Sequence, residues 1–242
     1  MYIKKTYDCG RVKWIEKIQP RSYQKKEKRA KRSKATPEQK RQENKRQAER
    51  KLARILDANF QEGDWHLVLT YRPEERPNEL EAKKRLRKFL AVMRREYRKA
   101  GVELKYVAVT EGKKAVHHHI IVNNCKVSVD VIRKAWTYGR PKLTPLDDEG
   151  SYITLAEYLI KETDERFRDE FAVEKQRYSR SRNLIEPKPK KQKIRAREFR
   201  SQPVAPAGWK IEAGSLYEGI STITGRRYQY YRIIRIKNDR GK

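Results

Sequence analysis

Two strand-like runs separated by only four residues are the feature that most constrains the fold of this chain. VELKYVAVTE occupies residues 102–111 and VHHHIIV residues 116–122, with GKKA between them. β-Branched and apolar side chains favour strands, and a short connection that contains glycine favours a hairpin. We therefore expect two adjacent antiparallel strands, with Glu111 at the end of the first and three histidines at the start of the second.

The alternation of side chains along a strand assigns these histidines to opposite faces. His117 and His119 share one face, and His118 lies on the other face with Ile120. The hairpin brings Glu111 beside the pair, and two imidazoles with one carboxylate leave open the coordination positions that a catalytic metal needs. An alternative is that the histidines are hydrogen-bonded sheet residues that bind no metal. On the metal hypothesis, a His118→Leu substitution should be tolerated.

A strand and a helix are predicted before this hairpin. DWHLVLTYRP, residues 64–73, is a short apolar run that ends at proline and favours a strand. The next segment has apolar residues at helical spacing and reaches a helix-ending glycine at Gly101. The periodic apolar residues are Leu86, Phe89, Leu90, Met93 and Tyr97.

Three further elements are predicted after the hairpin. Ser128 is expected to cap a helix that carries Trp136 and stops at Gly139, RPKLTPL favours a fourth strand, and Ser151 is expected to cap a last helix. The element order is β-α-β-β-α-β-α. It predicts an α+β fold with an antiparallel sheet of the split βαβ type (ferredoxin-like or RRM-like) and flanking helices.

The charge of the chain points to a polyanionic partner. There are 61 Lys and Arg residues against 32 Asp and Glu residues, a formal net charge of +29. Nucleic acid is the usual partner of such a chain, and an anionic membrane surface is the alternative. The sequence has no apolar run long enough to span a membrane, no signal-peptide pattern and no GxxxxGK[ST] phosphate loop. We therefore expect a cytoplasmic protein with no membrane partner.

Charge and composition divide the chain into three predicted domains. Residues 1–61 form a basic N-terminal helical arm, which is either a solvated helix that starts near Pro37 or a partly disordered segment. It either contacts phosphates or only solubilises the chain. Residues 62–165 form the catalytic domain. Residues 166–242 form a basic linker and a C-terminal extension with a hairpin that turns at Thr224–Gly225. The tyrosines of this hairpin either stack on bases or pack against their own small core.

A second candidate constellation lies in LAEYLIKE, residues 155–162. Tyr158 and Lys161 are three residues apart, so a helix places them on one face. An ammonium group favours the phenolate form of a nearby tyrosine, and a phenolate can attack phosphorus. The alternative is a packed tyrosine beside a solvated lysine. Tyr152 lies six residues away and off this face, so we expect a single nucleophilic tyrosine.

Three ordered motifs resemble those of the HUH endonucleases, specifically the rolling-circle replication initiators of phages and plasmids. HHHIIV at 117–122 is similar to the family's His-hydrophobic-His strand, although a histidine stands in the middle position. LAEYLIK at 155–161 is similar to the tyrosine motif, and LVLTY, with Thr70, to the first motif. The resemblance covers about residues 62–165.

The resemblance implies a chemistry for these residues. Mg²⁺ or Mn²⁺ would be held by His117, His119 and Glu111, while Tyr158 attacks origin DNA and Lys161 stabilises the developing charge. The nick leaves a 5′-phosphotyrosine and a free 3′ hydroxyl in single-stranded DNA. In a bacterial cell, a host polymerase would then extend that end while a host helicase separates the strands. The candidate DNA contacts are Thr70, Arg72, Lys113, Lys114, Arg226, Arg227 and Tyr228.

Three other functions remain open on the sequence alone. A plasmid relaxase or a single-tyrosine transposase would use the same chemistry on different DNA. A non-catalytic basic protein could bind nucleic acid through its charge and tyrosines. A metal-dependent hydrolytic nuclease would cut DNA without forming a covalent adduct.

Overall fold

The computed structural model describes residues 1–20, 36–112, 115–168, 176–196, 198–221 and 224–237. The chain divides into two units. Unit 1 comprises Met1–Ala58, Glu149–Thr154 and Ile185–Lys242, and unit 2 comprises Asn59–Asp148 and Leu155–Leu184. None of the described helices combines the length and the apolar character that a membrane crossing requires.

Eleven strands and four helices are present among the described residues. The strands are β1 (Tyr2–Cys9), β2 (Val12–Ile18), β3 (Trp65–Leu69), β4 (Tyr106–Glu111), β5 (His117–Val122), β6 (Pro141–Pro145), β7 (Ser179–Arg180), β8 (Lys190–Ile194), β9 (Trp209–Ile211), β10 (Tyr217–Ile220) and β11 (Arg227–Arg235). The helices are α1 (Pro37–Asn59), α2 (Glu79–Lys99), α3 (Ser128–Ala135) and α4 (Ile153–Arg168). The expected α+β fold with antiparallel sheets is confirmed.

Unit 2 contains a five-stranded antiparallel sheet in the order β6-β3-β5-β4-β7. Strands β3 and β4 lie on either side of β5, because helix α2 carries the chain across the sheet between them. This is the arrangement of a split βαβ unit, in which the connection must cross over one strand. The histidine strand β5 therefore lies in the centre of the sheet and has a neighbour on each side.

Helices α2 and α3 pack on one face of this sheet. The apolar stripe of α2 is buried as its helical spacing predicts, and Trp136 joins it immediately after α3. These side chains contact Leu67, Leu69 and Ile120, which the strands direct to the same face. Helix α4 contacts the opposite face, where the hydroxyl of Tyr158 lies 3.3 Å from Nε2 of His119. The two faces of the sheet thus differ, one covered by α2 and α3 and the other facing α4.

Two of the expected helix caps are wrong. Ser128 is the first residue of α3, and its Oγ accepts a hydrogen bond from the amide of Cys125 at 2.7 Å, so it closes the preceding loop. Ser151 precedes α4, but its amide and hydroxyl both donate to the carboxylate of Glu212, at 2.6 and 3.0 Å. In each case a nearby polar group outcompetes the free amides of the helix end.

The expected helix stop at Gly139 is wrong, and this glycine is instead required for packing. Helix α3 already ends at Ala135, and the Trp136 indole donates a hydrogen bond to the carbonyl of Thr70 at 2.8 Å. A Cβ at residue 139 would lie 2.1 Å from that carbonyl oxygen. Glycine is required here because two backbone segments approach too closely for any side chain.

Unit 1 contains a six-stranded sheet made from both ends of the chain. Strands β10, β11, β2, β1 and β8 follow one another across the sheet, and β9 pairs with β11. The expected C-terminal hairpin is present as β10 and β11, with Gly225 at a positive φ of 64° in the turn. Strands β1 and β2, however, were not predicted, because lysines and glutamate alternate with their apolar residues and weaken the hydrophobic pattern.

The expected solvated arm differs from what the structure shows. Residues 21–35 lie outside the described residues, and α1 does begin at Pro37 as expected. The last turns of α1 nevertheless bury Leu52, Ile55 and Leu56 completely. The Trp14 indole of β2 donates a hydrogen bond to the carboxylate of Asp57 at 2.8 Å. The second half of α1 is thus part of the core of unit 1, since its few apolar residues fall on one helical face.

Candidate metal centre and nucleophile

The strand register brings the three predicted metal ligands together. Glu111 pairs with His117 across β4 and β5, and His119 follows two residues later on the same face. Oε2 of Glu111 lies 2.8 Å from Nε2 of His117 and 3.7 Å from Nε2 of His119. One donor atom from each of the three residues lies within 4.8 Å of the others. This cluster could hold a metal ion.

The Nδ1 atoms of His117 and His119 have partners that orient the two rings. Nδ1 of His117 lies 3.0 Å from the carbonyl oxygen of Ala115, which can only accept a hydrogen bond. Nδ1 of His119 lies 3.2 Å from Nε2 of His66 on strand β3. When each Nδ1 donates, both Nε2 lone pairs face the Glu111 carboxylate, and a cation among these electron-rich atoms offsets their repulsion. The donor set therefore fits a metal.

Burial keeps the imidazole of His119 neutral, the form that binds metals. Burial first, and then the neighbouring charges of His117 and His66, lower the pKa of His119 to about 3. Burial, with Lys142 as the second cause, also lowers the pKa of His66. Because only the neutral imidazole has a free lone pair, His119 is in the form that binds a metal at neutral pH.

His66 is the residue of this site that sequence reasoning missed. Strand β3 carries His66 on the same face as Val68, and Val68 pairs directly with His119. The alternation of side chains contained this signal, but only the strand order shows that β3 lies next to β5. A histidine that accepts a hydrogen bond from the ring of a metal ligand fixes the tautomer of that ligand and its orientation.

A His66→Ala substitution should weaken metal binding by about 10- to 100-fold, the usual effect of removing the partner of a ligating histidine. The measurement is calorimetric titration of the full chain with Mn²⁺. His66→Gln is the matched variant, because its side-chain oxygen can still accept the Nδ1 hydrogen of His119, and it should restore part of the affinity. Equal affinities of the alanine variant and the wild type would show that His66 does not position His119.

His118 lies on the opposite face, as the strand alternation predicts, and is completely buried. Its Nε2 lies 2.8 Å from the hydroxyl of Tyr71, and its Nδ1 lies 2.9 Å from the hydroxyl of Thr110. The ring also packs edge-on against Trp136. His118 is thus a polar core residue, hydrogen-bonded at both nitrogens and directed away from Glu111.

This environment revises the expectation that leucine would be tolerated at residue 118. We now expect His118→Leu to lower the free energy of unfolding by about 1–3 kcal/mol, because the buried Tyr71 hydroxyl loses its partner. Urea unfolding measures the loss. The matched variant is Tyr71→Phe/His118→Leu, which removes that hydroxyl and should cost less than the sum of the two single changes. A fully stable leucine variant would contradict this account.

The candidate nucleophile is presented by helix α4. Ala156, Leu159 and Ile160 are buried, whereas Tyr158 is 41% exposed. Its hydroxyl lies 3.3 Å from Nε2 of His119, and the two rings meet edge-on at 5.2 Å. Lys161 is exposed, three residues further along the helix. The tyrosine hydroxyl thus lies beside the candidate metal ligands, on a side chain that is partly exposed to solvent.

The candidate DNA contacts in unit 2 have structural partners. The hydroxyl of Thr70 donates to the carbonyl of Arg140 at 3.1 Å, and the guanidinium of Arg72 donates to the carbonyl of Thr137 at 2.7 Å. Both side chains therefore hold the loop between α3 and β6. Arg72 is still 56% exposed. Lys113 and Lys114 lie outside the described residues.

The remaining candidate DNA contacts belong to unit 1. Arg227 forms ion pairs with Glu198 and Glu218, each at 3.7 Å. The ring of Tyr228 lies 4.9 Å from that of Tyr230. Nε of Arg226 is buried and makes no hydrogen bond within the described part of the chain. These contacts favour the alternative in which the hairpin tyrosines pack within their own sheet.

One comparison with known protein families gave a match. A family model for replication-associated proteins of the ORF2 type matches residues 64–163. No curated protein and no solved structure matches the chain. The matched segment contains β3, the histidine strand β5 and Tyr158, so the candidate site lies within it. The match supports a replication initiator family and a role in DNA replication.

Proposed function

We propose that unit 2 nicks single-stranded origin DNA by the HUH mechanism and so initiates rolling-circle replication. The observation that carries this proposal is the position of the Tyr158 hydroxyl, 3.3 Å from Nε2 of His119. An activated nucleophile and a set of metal ligands within hydrogen-bond reach are the two requirements for nucleophilic attack on a phosphodiester. The nucleophile comes from α4 and the metal ligands from β4 and β5, which are distant from α4 in sequence.

Glu111, His117 and His119 would hold the metal, as Mg²⁺ or Mn²⁺. Carboxylate oxygen suits both cations, and the two imidazoles complete three ligand positions, which leaves the remaining positions open. When bound, the cation supplies Lewis acidity to the scissile phosphate. The orientation of the two imidazoles by Ala115 and His66 supports this assignment.

Tyr158 and Lys161 would perform the bond exchange. The phenolic oxygen of Tyr158 forms a bond to phosphorus as the bond from phosphorus to the 3′ oxygen breaks. The phenolic proton passes to solvent, which reaches this side chain because it is 41% exposed, and the departing 3′ oxygen takes a proton from water. The ammonium of Lys161 favours the phenolate and offsets the negative charge on the phosphate.

This polarity leaves a free 3′ hydroxyl that a polymerase can extend without a primer. The host polymerase would extend that end, and a host helicase would separate the strands ahead of it. Relaxases and single-tyrosine transposases share the same bond exchange, and they differ from an initiator in the DNA that they cut. The match to a replication-associated family supports the initiator among these three.

The test is a covalent-adduct assay on single-stranded origin candidates. Each oligonucleotide is labelled in turn at its 5′ end and at its 3′ end, incubated with the full chain and Mn²⁺, and resolved on a denaturing gel. The 3′ label should migrate with the protein, because the 3′ fragment carries the phosphate that Tyr158 retains.

The other outcomes of this assay identify other functions. A 5′ label that migrates with the protein would overturn the initiator proposal, since the 3′ end would then be blocked. Cleavage with both labels on free DNA would indicate a hydrolytic nuclease. Binding without cleavage, with either metal and every origin candidate, would indicate a non-catalytic nucleic-acid-binding protein.

A further inference from the structure

An arginine-lined groove of about 730 Å³ lies in unit 2, away from the candidate metal centre. Its lining includes Arg94 and Arg98 of α2 and Arg180 and Arg182 of the segment that begins with β7. Glu103 is the acidic residue of the lining. Four guanidinium groups and one carboxylate give this groove a strong positive potential.

Hydrogen bonds to β4 and Leu104 hold one side of the groove, and helix α2 forms the other side. Strand β7 pairs with β4, and the amide of Ser181 donates to the carbonyl of Tyr106 at 3.0 Å while its hydroxyl accepts from the amide of Tyr106 at 3.0 Å. The side-chain amide of Asn183 donates to the carbonyl of Leu104 at 3.3 Å. Arg94 and Arg98 are four residues apart, so α2 presents both on one face. The arginines thus project from fixed backbone on two elements.

We propose that this groove binds the phosphodiester backbone of the DNA strand that unit 2 cuts, as a second contact site remote from Tyr158. This inference rests on the proposed function. Clustered arginines repel one another, and a polyanion offsets that repulsion. Guanidinium groups bind phosphate oxygens in a bidentate manner, and they account for four of the lining residues. Leu104 and Tyr106 are more than nine-tenths buried, so the floor offers little surface for base stacking.

The position of the groove sets a minimum length for the DNA. Tyr106 lies at the first residue of β4 and packs on the α2 face, whereas Glu111 lies at the last residue and on the opposite face. The groove and the metal ligands are therefore separated by at least about 17 Å, the length of strand between these two residues. A stacked strand covers that distance in roughly five nucleotides, at 3.4 Å each. A stacked oligonucleotide shorter than this cannot contact both sites at once.

The experiment compares two triple variants of the full chain. Arg94→Ala/Arg98→Ala/Arg182→Ala removes three charges from the groove. Lys84→Ala/Arg87→Ala/Lys88→Ala is the matched control, since it removes three exposed charges, all from α2. The probe is a fluorescent single-stranded DNA long enough to span both sites, and binding is measured in EDTA over a range of salt concentrations.

We expect the groove variant to bind the probe on the order of 100-fold more weakly near 0.1 M salt, with a salt slope smaller by about 2, because three phosphate contacts are lost at about 0.7 each. The control should remain within about threefold of the wild type, because screening shortens the reach of charges that make no contact. A probe of three nucleotides should bind the groove variant and the wild type with a smaller difference. Equal losses in the two variants would overturn the proposal.

Two further readouts separate this inference from its alternatives. Inorganic triphosphate is added as a competitor, and if it displaces the long probe from the wild type at micromolar concentration, the ligand is a free polyphosphate and the proposal fails. The adduct assay is run in parallel at saturating DNA. Adduct formation by a groove variant that binds like the control would sink only this inference. A groove effect on binding with no adduct in the wild type would sink only the proposed nicking.

Discussion

A Tyr158→Phe protein should bind single-stranded DNA as the wild type does and form no covalent adduct. The substitution removes one hydroxyl from a side chain that is 41% exposed, so the free energy of unfolding should change by less than about 0.5 kcal/mol. The rate of adduct formation should fall by at least about 10³-fold, the scale on which an enzyme loses activity with its nucleophile. The checks are a denaturing gel for the adduct and mass spectrometry of the modified peptide.

Tyr152→Phe is the matched control for this experiment. Tyr152 is buried, its amide donates a hydrogen bond to the carboxylate of Asp57 at 2.8 Å, and Arg11 lies over its ring. Its role is therefore in the packing of unit 1, and the variant should still form the adduct. An adduct that persists in the Tyr158→Phe protein and maps to Tyr152 would refute the assignment of the nucleophile.

Replacing both His117 and His119 by alanine should abolish metal binding and cleavage and retain most of the affinity for DNA. The affinity persists because it comes mainly from the basic surface of a chain with a net charge of +29. Mn²⁺ at about 100 times its Kd should stabilise the wild type by about 2.7 kcal/mol and raise its Tm, whereas the double variant should show no such shift. Thermal unfolding with and without Mn²⁺ measures this effect independently of activity.

Two comparisons make the metal prediction specific. The double variant in EDTA reports the packing lost when the nearly buried His119 ring is removed, and the Mn²⁺ shift is judged against that baseline. Glu111→Gln keeps the size of the third ligand, removes its charge, and should also lose most of the Mn²⁺ shift. If the double variant retains the full shift, the metal binds elsewhere in the chain.

The sequence by itself determined the local geometry of the site. Side chains alternate along a strand because of the covalent geometry of the backbone, so His117 and His119 had to share a face and His118 had to oppose them. The short GKKA connection required Glu111 to end beside His117. The periodic apolar residues of α2 likewise specified which of its faces is buried. In each of these cases the structural relation spans only a few residues along the chain.

The tertiary structure decided which distant segments meet. Whether Tyr158 approaches His119 depends on the face of the sheet to which α4 packs, and α4 begins more than thirty residues after β5 ends. The contact of His66 with His119 depends on β3 lying next to β5, and the arginine groove depends on β7 pairing with β4. Strand order is set by competition among many long-range packings, and no local pattern records its outcome.

In unit 1, the sequence alone determined little of the sheet, and the tertiary structure decided most of it. Charged residues interrupt the apolar ones in β1 and β2, so these strands gave no separate signal. They are stable because β2 pairs with β11 from the other end of the chain and because α1 buries Leu52, Ile55 and Leu56. The sequence alone determined the composition of these segments and the hairpin turn at Gly225. Only the folded chain joins them into one sheet, because a strand with so few apolar residues gains its stability from its neighbours.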